Sequence, residues 1–379
     1  MEWRVPLADL DYGAEEEQAV LEVIRSRWLT MGAVTQAFEK AFAEFVGARH
    51  ALAVSNGTVA LHLACRALEL TPDDEVIVPA LTFVATVNAV RYTGAQARFA
   101  DIVGLDELTI APQEIERQIT PRTRAIVVMH YGGYPCRMAE IMRIAEKHNL
   151  VVIEDAAHAP GGRLDGKALG VWGEIGCFSF FSNKNLSTGE GGMLVTNRDD
   201  LAEKVRLLRS HGMTTLTWDR HKGHAYTYDV VDLGYNYRID EIRAALGLVQ
   251  LKKLERNNRK RQEITEAYWQ NLAGLGLGMP FRQAPGEPAY HIFPALLPEG
   301  IDRRQFMEHM QRQGVQTSIH YPPVHLFQYY RSRYPGVSLP NTEAAGGREV
   351  TLPLYPGMHP AAIQIVVSAV QRSLEALRA

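Results

Sequence analysis

The sequence predicts an α/β fold, a mostly parallel central sheet followed by a smaller α+β domain. Two observations carry the first part. Short β-rich runs alternate with helical periods over the first two hundred residues, as in strand–helix–strand crossover units. Most of these runs are continuously apolar, as strands are when helices cover both faces of a sheet. A third observation sets off the remainder. Beyond residue 240 a long helical stretch gives way to short strands mixed with helices. The expected domains are 1–250 and 251–379.

Strands are expected at 51–54, 75–78, 97–100, 125–129 and 151–153, with helices at 59–68, 86–92, 112–118 and 138–147 between them. Further β-like runs follow at 176–181 and 192–196. A helix at 198–209 comes next, with Asn197 as its N-cap and Asp199 and Asp200 in the first turn, where negative charge suits the dipole. The stretch 240–272 reads as one long helix. Its basic run, 252–261, reads as a solvated face. Strands at 289–297 and 315–319 and helices at 303–313 and 360–377 complete the chain.

Composition narrows the function. Forty Lys and Arg stand against 43 Asp and Glu, a net charge of −3. A nucleic-acid binder needs a clear basic excess, so none is expected as a partner. Three scattered cysteines, Cys65, Cys136 and Cys177, suit free thiols in a reducing compartment rather than a disulfide framework or zinc site. The N-terminus lacks a basic stretch followed by an apolar one, and the most apolar window, 76–90, is too short to span a bilayer. A soluble cytoplasmic protein with no membrane partner is expected.

Three elements can carry chemistry. The apolar strand 151–153 runs into Glu154 and Asp155, placing a carboxylate at a strand's carboxyl end, where ligands of open α/β sheets sit. Taken alone, Asp155 could equally be a structural ion-pair partner. Ser55-Asn56-Gly57-Thr58 joins a strand to a helix. A glycine there admits close backbone approach, and a helix N-terminus with a hydroxyl suits a phosphate. The ordinary alternative is a helix cap. Lys184 follows the apolar run 178–181 and precedes the Gly-rich 188–192. An amine held near an apolar wall loses proton affinity and becomes nucleophilic, although most lysines are simply solvated. Together, a phosphate site, a carboxylate and a lysine are the requirements of pyridoxal 5'-phosphate chemistry.

The sequence resembles the DegT/DnrJ/StrS sugar aminotransferases, within the fold-type I aspartate aminotransferase superfamily. The matching stretches are Trp28-Leu29-Thr30-Met31-Gly32, Ser55-Asn56-Gly57-Thr58, Thr82-Phe83, Glu154-Asp155-Ala156-Ala157-His158, Phe178-Ser179-Phe180, Lys184, Gly189-Glu190-Gly191-Gly192, Gly234-Tyr235-Asn236-Tyr237-Arg238 and Tyr321-Pro322-Pro323-Val324-His325-Leu326. Each is short, but their order and spacing extend over most of the chain.

The resemblance implies a role for each matched position. Lys184 matches the Schiff-base lysine. Asp155 matches the partner of the pyridinium nitrogen, and His158 the residue at the cofactor's phenolic oxygen. Phe83 matches the aromatic stacked on the ring. Gly57, Thr58 and Ser179 match phosphate contacts, and Asn236 an asparagine reaching the neighbouring subunit's phosphate. A homodimer with shared sites follows from that last match. The implied reaction moves an amino group from L-glutamate, which becomes 2-oxoglutarate, to a keto sugar linked to a nucleoside diphosphate. Pyridoxamine 5'-phosphate is the intermediate cofactor form, and a 4-keto-6-deoxy sugar is the expected acceptor. Keto-cyclitol or 3-keto-sugar amination, sugar dehydration and a non-catalytic regulator are the alternatives. Related dehydratases replace the lysine with histidine, so Lys184 favours transamination. One departure is Phe181, where the family often has histidine.

Other candidates weigh less. His211, His221 and His224 lack a Cys or carboxylate at ligand-like spacing, so no metal is expected. These histidines and Trp218 and Lys222 read as a loop over the site. His320, Tyr321 and His325 fall in the segment resembling the family's substrate-side loop, and His325 is the substrate-contact candidate.

Overall fold

A computed structural model describes residues 3–215 and 227–378. Trp218, His221, Lys222 and His224 of the expected loop lie outside the described residues. The strands are β1 (His50–Val54), β2 (Glu75–Pro79), β3 (Gln96–Ala100), β4 (Ile102–Gly104), β5 (Glu107–Ile110), β6 (Thr123–Met129), β7 (Val151–Asp155), β8 (Arg163–Leu164), β9 (Lys167–Ala168), β10 (Ile175–Ser179), β11 (Gly192–Thr196), β12 (Phe293–Leu296) and β13 (Glu349–Leu352). Seven form the central sheet in the order β1-β11-β10-β7-β6-β2-β3. Only β11 runs against its neighbours, β1 and β10. The other pairings are parallel, so the expected α/β fold with a mostly parallel sheet is the one observed.

The unbroken apolarity of the strands has its explanation in the packing. Successive residues point to opposite faces. Val76 and Val78 enter one core and Ile77 the other. Both faces are thus buried. A third core gathers Tyr268, Phe293, Phe306, Val350 and Val370 around the small sheet of β12 and β13.

The helix Glu241–Asn271 crosses between these cores. Leu251 and Leu254 pack with the central sheet, Ile264 and Tyr268 with the C-terminal core. We propose that the two expected domains part within this shared helix. Its basic run is not uniformly solvated, as the sequence suggested. Lys253 reaches Glu16 at 2.8 Å, and Arg261 is buried against the carbonyls of His291 and Leu354.

Other local readings shift for physical reasons. The helix after β11 spans Asp199–Leu208 with Arg198 at its cap, and Asp199 and Asp200 do occupy its first turn. Asn197 does not cap it, because its Oδ1 accepts from the Arg49 N–H, 2.9 Å away. The expected strand at 315–319 makes only single bridges, Val5 to Val315 and Ser318 to Thr351. β13 pairs in full only with β12, on the edge opposite Ser318. Among the described residues no helix is long and apolar enough to cross a membrane.

Candidate active site

The carboxyl ends of β7 and β10 meet the start of the helix Gly57–Ala67, and the chemistry of the molecule gathers there. β7 ends in two carboxylates on opposite faces. Glu154 is consumed by structure. It accepts from His130 Nε2 at 2.9 Å and from the N–H groups of Gly170, Trp172 and Gly173 at 2.6–2.8 Å. Asp155 faces the cleft side. Its Oδ2 accepts from Thr86 Oγ1 at 2.6 Å and its Oδ1 from the Ala157 N–H at 3.1 Å. Thr82 Oγ1 lies 2.7 Å from Thr86 Oγ1. Burial raises the Asp155 carboxyl above its ordinary value, and the Thr86 hydrogen bond opposes that rise.

The helix Gly57–Ala67 is capped by Asn56, whose side chain accepts from the Val59 N–H. That leaves the first-turn N–H groups of Gly57 and Thr58 outside the helical ladder. Gly57 lies directly over Ser179 at the end of β10. A Cβ at position 57 would come within 2.8 Å of the Ser179 Cβ. Gly192, at the start of β11, likewise admits the Asn56 carbonyl, 2.5 Å from where its own Cβ would be. Two glycines therefore let a helix start and two strand ends close into one cradle.

Lys184 stands on the loop between the antiparallel neighbours β10 and β11. Burial pushes its ammonium down to about 8, and the Asp155 charge partly offsets this. Its Nζ is 3.5 Å from His291 Nε2. His158 is buried at the far side. Its Nδ1 accepts from the Gly132 N–H at 3.2 Å, and its Nε2 meets the Tyr321 hydroxyl at 2.9 Å. The rings of His158 and His291 lie 4.3 Å apart. His320 bonds Thr351 Oγ1 through Nδ1, and its N–H donates to Glu349. Burial lowers all three imidazoles, His320 to about 4, so they stay neutral beside Lys184.

Phe83 is 52 % exposed and tilts toward Tyr321 at 5.7 Å, an aromatic face left open to the cleft. Asn236 is also exposed. Its segment is pinned to the cradle by the Ser55 N–H, which donates to the Tyr237 carbonyl at 2.9 Å. His325 lies apart from the Lys184 cluster. It is buried against Phe99 and bonds Glu343 at 3.1 Å. Thr86, His291, Asn185 and Glu349 escaped the sequence reading. Thr86 alone had a signal, one helical turn after Thr82.

The profile of the DegT/DnrJ/EryC1/StrS aminotransferase family matches residues 11–371. The chain belongs to this family. A protein of Methanocaldococcus jannaschii, itself uncharacterized, is 38% identical over 95% of each chain. Among solved structures, Helicobacter pylori PseC, an aminotransferase involved in the biosynthesis of pseudoaminic acid, superposes with a TM-score of 0.93. It is 29% identical, with 99% of this chain and 100% of that chain covered. NtdA of Bacillus subtilis, solved with bound cofactor PMP, gives a TM-score of 0.85 at 30% identity, over 96% of this chain and 83% of that one. The chain is thus a pyridoxal-phosphate-dependent sugar aminotransferase with the fold of that superfamily.

The family segment 28–32 also acquires a physical reason. Glu241, at the start of the long helix, accepts from the N–H groups of Gly32, Val34 and Thr35, each at 2.8 Å. It caps the helix Ala33–Val46 from 209 residues away. Gly32 has no room for a side chain, since its Cβ would stand 2.6 Å from the Trp28 indole nitrogen.

Proposed function

We propose that this aminotransferase moves the amino group of L-glutamate to a nucleoside-diphosphate-linked keto sugar, a 4-keto-6-deoxy sugar above all. The observation that carries the reading is the convergence of Lys184, Asp155 and the Gly57–Ser179 cradle at one cleft. The residues fit the cofactor. The cradle at Gly57 is too tight for a Cβ, and its donors, the N–H groups of Gly57 and Thr58 with the Ser179 hydroxyl, suit a phosphate. Asp155 is a buried carboxylate for the ring nitrogen, Phe83 an open aromatic face for the ring. His158, its Nδ1 taken by the Gly132 N–H, keeps an Nε2–H beside the Tyr321 hydroxyl and would hold a ring oxygen with it. Bound there, pyridoxal phosphate supplies the electron sink that lets the donor's α-hydrogen leave as a proton.

The chain's own residues do the rest. Lys184 is the residue that would hold the cofactor covalently, and its amine, once free, would take the proton from the donor's α-carbon onto Nζ and give it back. An amine lowered to about 8 holds roughly a tenth of its population unprotonated at pH 7, far more than an ordinary lysine does, as this role needs. Asp155 keeps its charge next to the ring with the help of Thr86. Binding energy from the remote nucleotide positions the keto carbon. The segment 320–326 walls the substrate side, with His325 anchoring it through Glu343.

The active unit in this reading is a homodimer with shared sites. Asn236 is exposed beside Val230, Val231 and Leu233, and Leu233 is 78 % exposed. Such side chains suit burial against a second copy. A cytoplasmic location is proposed on the three buried free cysteines.

The test is spectroscopic. The purified protein is loaded with pyridoxal phosphate, and its visible band is followed on adding L-glutamate, then a panel of acceptors. Bleaching by glutamate and recovery with a nucleotide-linked keto sugar are expected. Recovery only with a free keto-cyclitol would overturn the substrate class. Turnover retained in Lys184→Ala would overturn the assignment of the lysine.

A further inference from the structure

We infer that His291 is a positioning residue for Lys184, a fixed neutral acceptor that orients the amine whenever the lysine is free. This rests on the reading of Lys184 as the lysine that holds the cofactor. His291 is immobilised on three sides. Its N–H donates to the Gly132 carbonyl at 2.8 Å, its carbonyl accepts from Arg261 Nη1 at 3.2 Å, and its Nδ1 meets Asn185 Oδ1 at 2.9 Å. Asn185 cannot turn to offer its amide nitrogen instead. Its Nδ2 is already donated to Asn258 Oδ1 at 2.8 Å and to the Ala289 carbonyl at 2.7 Å. Asn258 in turn donates to the Pro160 carbonyl.

This chain of donors fixes the tautomer. Nδ1 must carry the hydrogen, so Nε2 is left with a bare lone pair. That lone pair is 3.5 Å from Lys184 Nζ. The titratable groups facing the pair are His158, His320 and Asp155, and the guanidinium of Arg261 lies behind the His291 backbone. Burial above all, with the charges of Lys184 and Arg261, holds the imidazole well below its ordinary value, so it does not protonate in the working range. A neutral acceptor that cannot rotate takes one N–H of the free amine. The amine's own lone pair is thereby kept from wandering, and the proton it collects is not passed on to the histidine.

The same turn locks the neighbouring ring. Gly132 donates its N–H to His158 and accepts from the His291 N–H. It does so at φ +65°, where a side chain is strained. Gly133 follows at φ +86°, with its would-be Cβ 2.7 Å from the His158 carbonyl. Both imidazoles thus hang from one two-glycine turn, and their separation is set by backbone rather than by side-chain packing.

The experiment reads the amine in the apoprotein. Competitive acylation of Lys184 across pH, quantified by peptide mass spectrometry, gives its pKa, about 8 in the native chain. His291→Phe keeps a ring and removes the acceptor. An acceptor favours the ammonium over the amine, so the value is expected to fall by about one further unit. In the loaded enzyme, kcat for the glutamate half-reaction should drop about tenfold with KM for glutamate unchanged, the mark of a lost transition-state interaction. An unchanged Lys184 titration in folded His291→Phe overturns the inference. A second measurement needs no variant. The side-chain 15N resonances of His291 in the native apoprotein should report Nδ1–H with bare Nε2 between pH 7 and 9. An Nε2–H tautomer or an imidazolium there overturns the inference whatever the variant does. Neither readout depends on the sugar, and the lysine assignment fails separately, through turnover surviving in Lys184→Ala.

Discussion

Thr86→Val isolates the hydrogen bond that holds Asp155. Valine nearly matches threonine in volume, and Thr86 is only 1 % exposed, so little beyond the hydroxyl changes. The loss strands Asp155 Oδ2, at present 2.6 Å from Thr86 Oγ1, and the Thr82 hydroxyl behind it. A hydrogen bond to a charged group contributes about 1.5–3 kcal/mol, a neutral one about 0.5–1.5. For 379 residues the unfolding entropy is roughly 0.8 kcal/mol/K, taking about 2.1 cal/mol/K per residue. The apoprotein's Tm should therefore fall by about 2–4 °C where Asp155 is ionised.

The pH dependence gives the sign. Burial raises the folded pKa of Asp155 above its unfolded value. The group therefore contributes stability that is complete below the unfolded pKa and is lost as pH rises through the folded one. Removing Thr86's hydroxyl raises the folded value further. The penalty in Tm must then be larger at pH 8 than at the acid end of the stable range, where the carboxyl carries its proton. Scanning calorimetry of both apoproteins across pH checks this. Retention of pyridoxal phosphate on dialysis should weaken about tenfold in parallel. Equal Tm penalties at both ends of the range would refute the coupling between Thr86 and the Asp155 charge.

Four other outcomes are expected. The rate at which the apoprotein takes up pyridoxal phosphate should rise with pH through about 8 and level off above it, because the free amine of Lys184 is the reacting form; a rise centred near the ordinary lysine value would contradict the burial argument. The same depressed lysine works on stability in the direction opposite to Asp155, adding stability as pH climbs from about 8 toward the unfolded lysine value. Gly57→Ala should cost at least about tenfold in cofactor affinity, since the new Cβ would stand 2.8 Å from Ser179 and force the cradle open; titration calorimetry with pyridoxal phosphate measures it. Asn236→Ala should loosen cofactor retention without changing the protomer's fold, and a fully active monomer in sedimentation would contradict the shared site.

Much of the architecture was legible because its signals are local. A continuous apolar run of about five residues beside a helical period specifies a doubly covered strand wherever it occurs. The junctions at Ser55–Thr58, Glu154–Asp155 and Phe178–Lys184 carry their chemistry within a few residues. The short pairing partners were not legible. β13 opens on Glu349, a carboxylate that burial pushes up to about 8, and a buried acid gives no strand signal. Likewise 315–319 reads as β-rich yet pairs only at single bridges, Val315 with Val5 and Ser318 with Thr351.

Periodicity and junction chemistry, then, were enough for the sheet, the order of its helices and the identity of Asp155 and Lys184 as the groups to watch. Tertiary structure alone decided which distant polar groups meet: Thr86 with Asp155 across 69 residues, His291 with Lys184 across 107, Glu241 with Gly32 across 209. A buried polar atom must find a partner, but the sequence names neither that partner nor its distance. The choice is made when the cores close and only one set of donors and acceptors is left within reach.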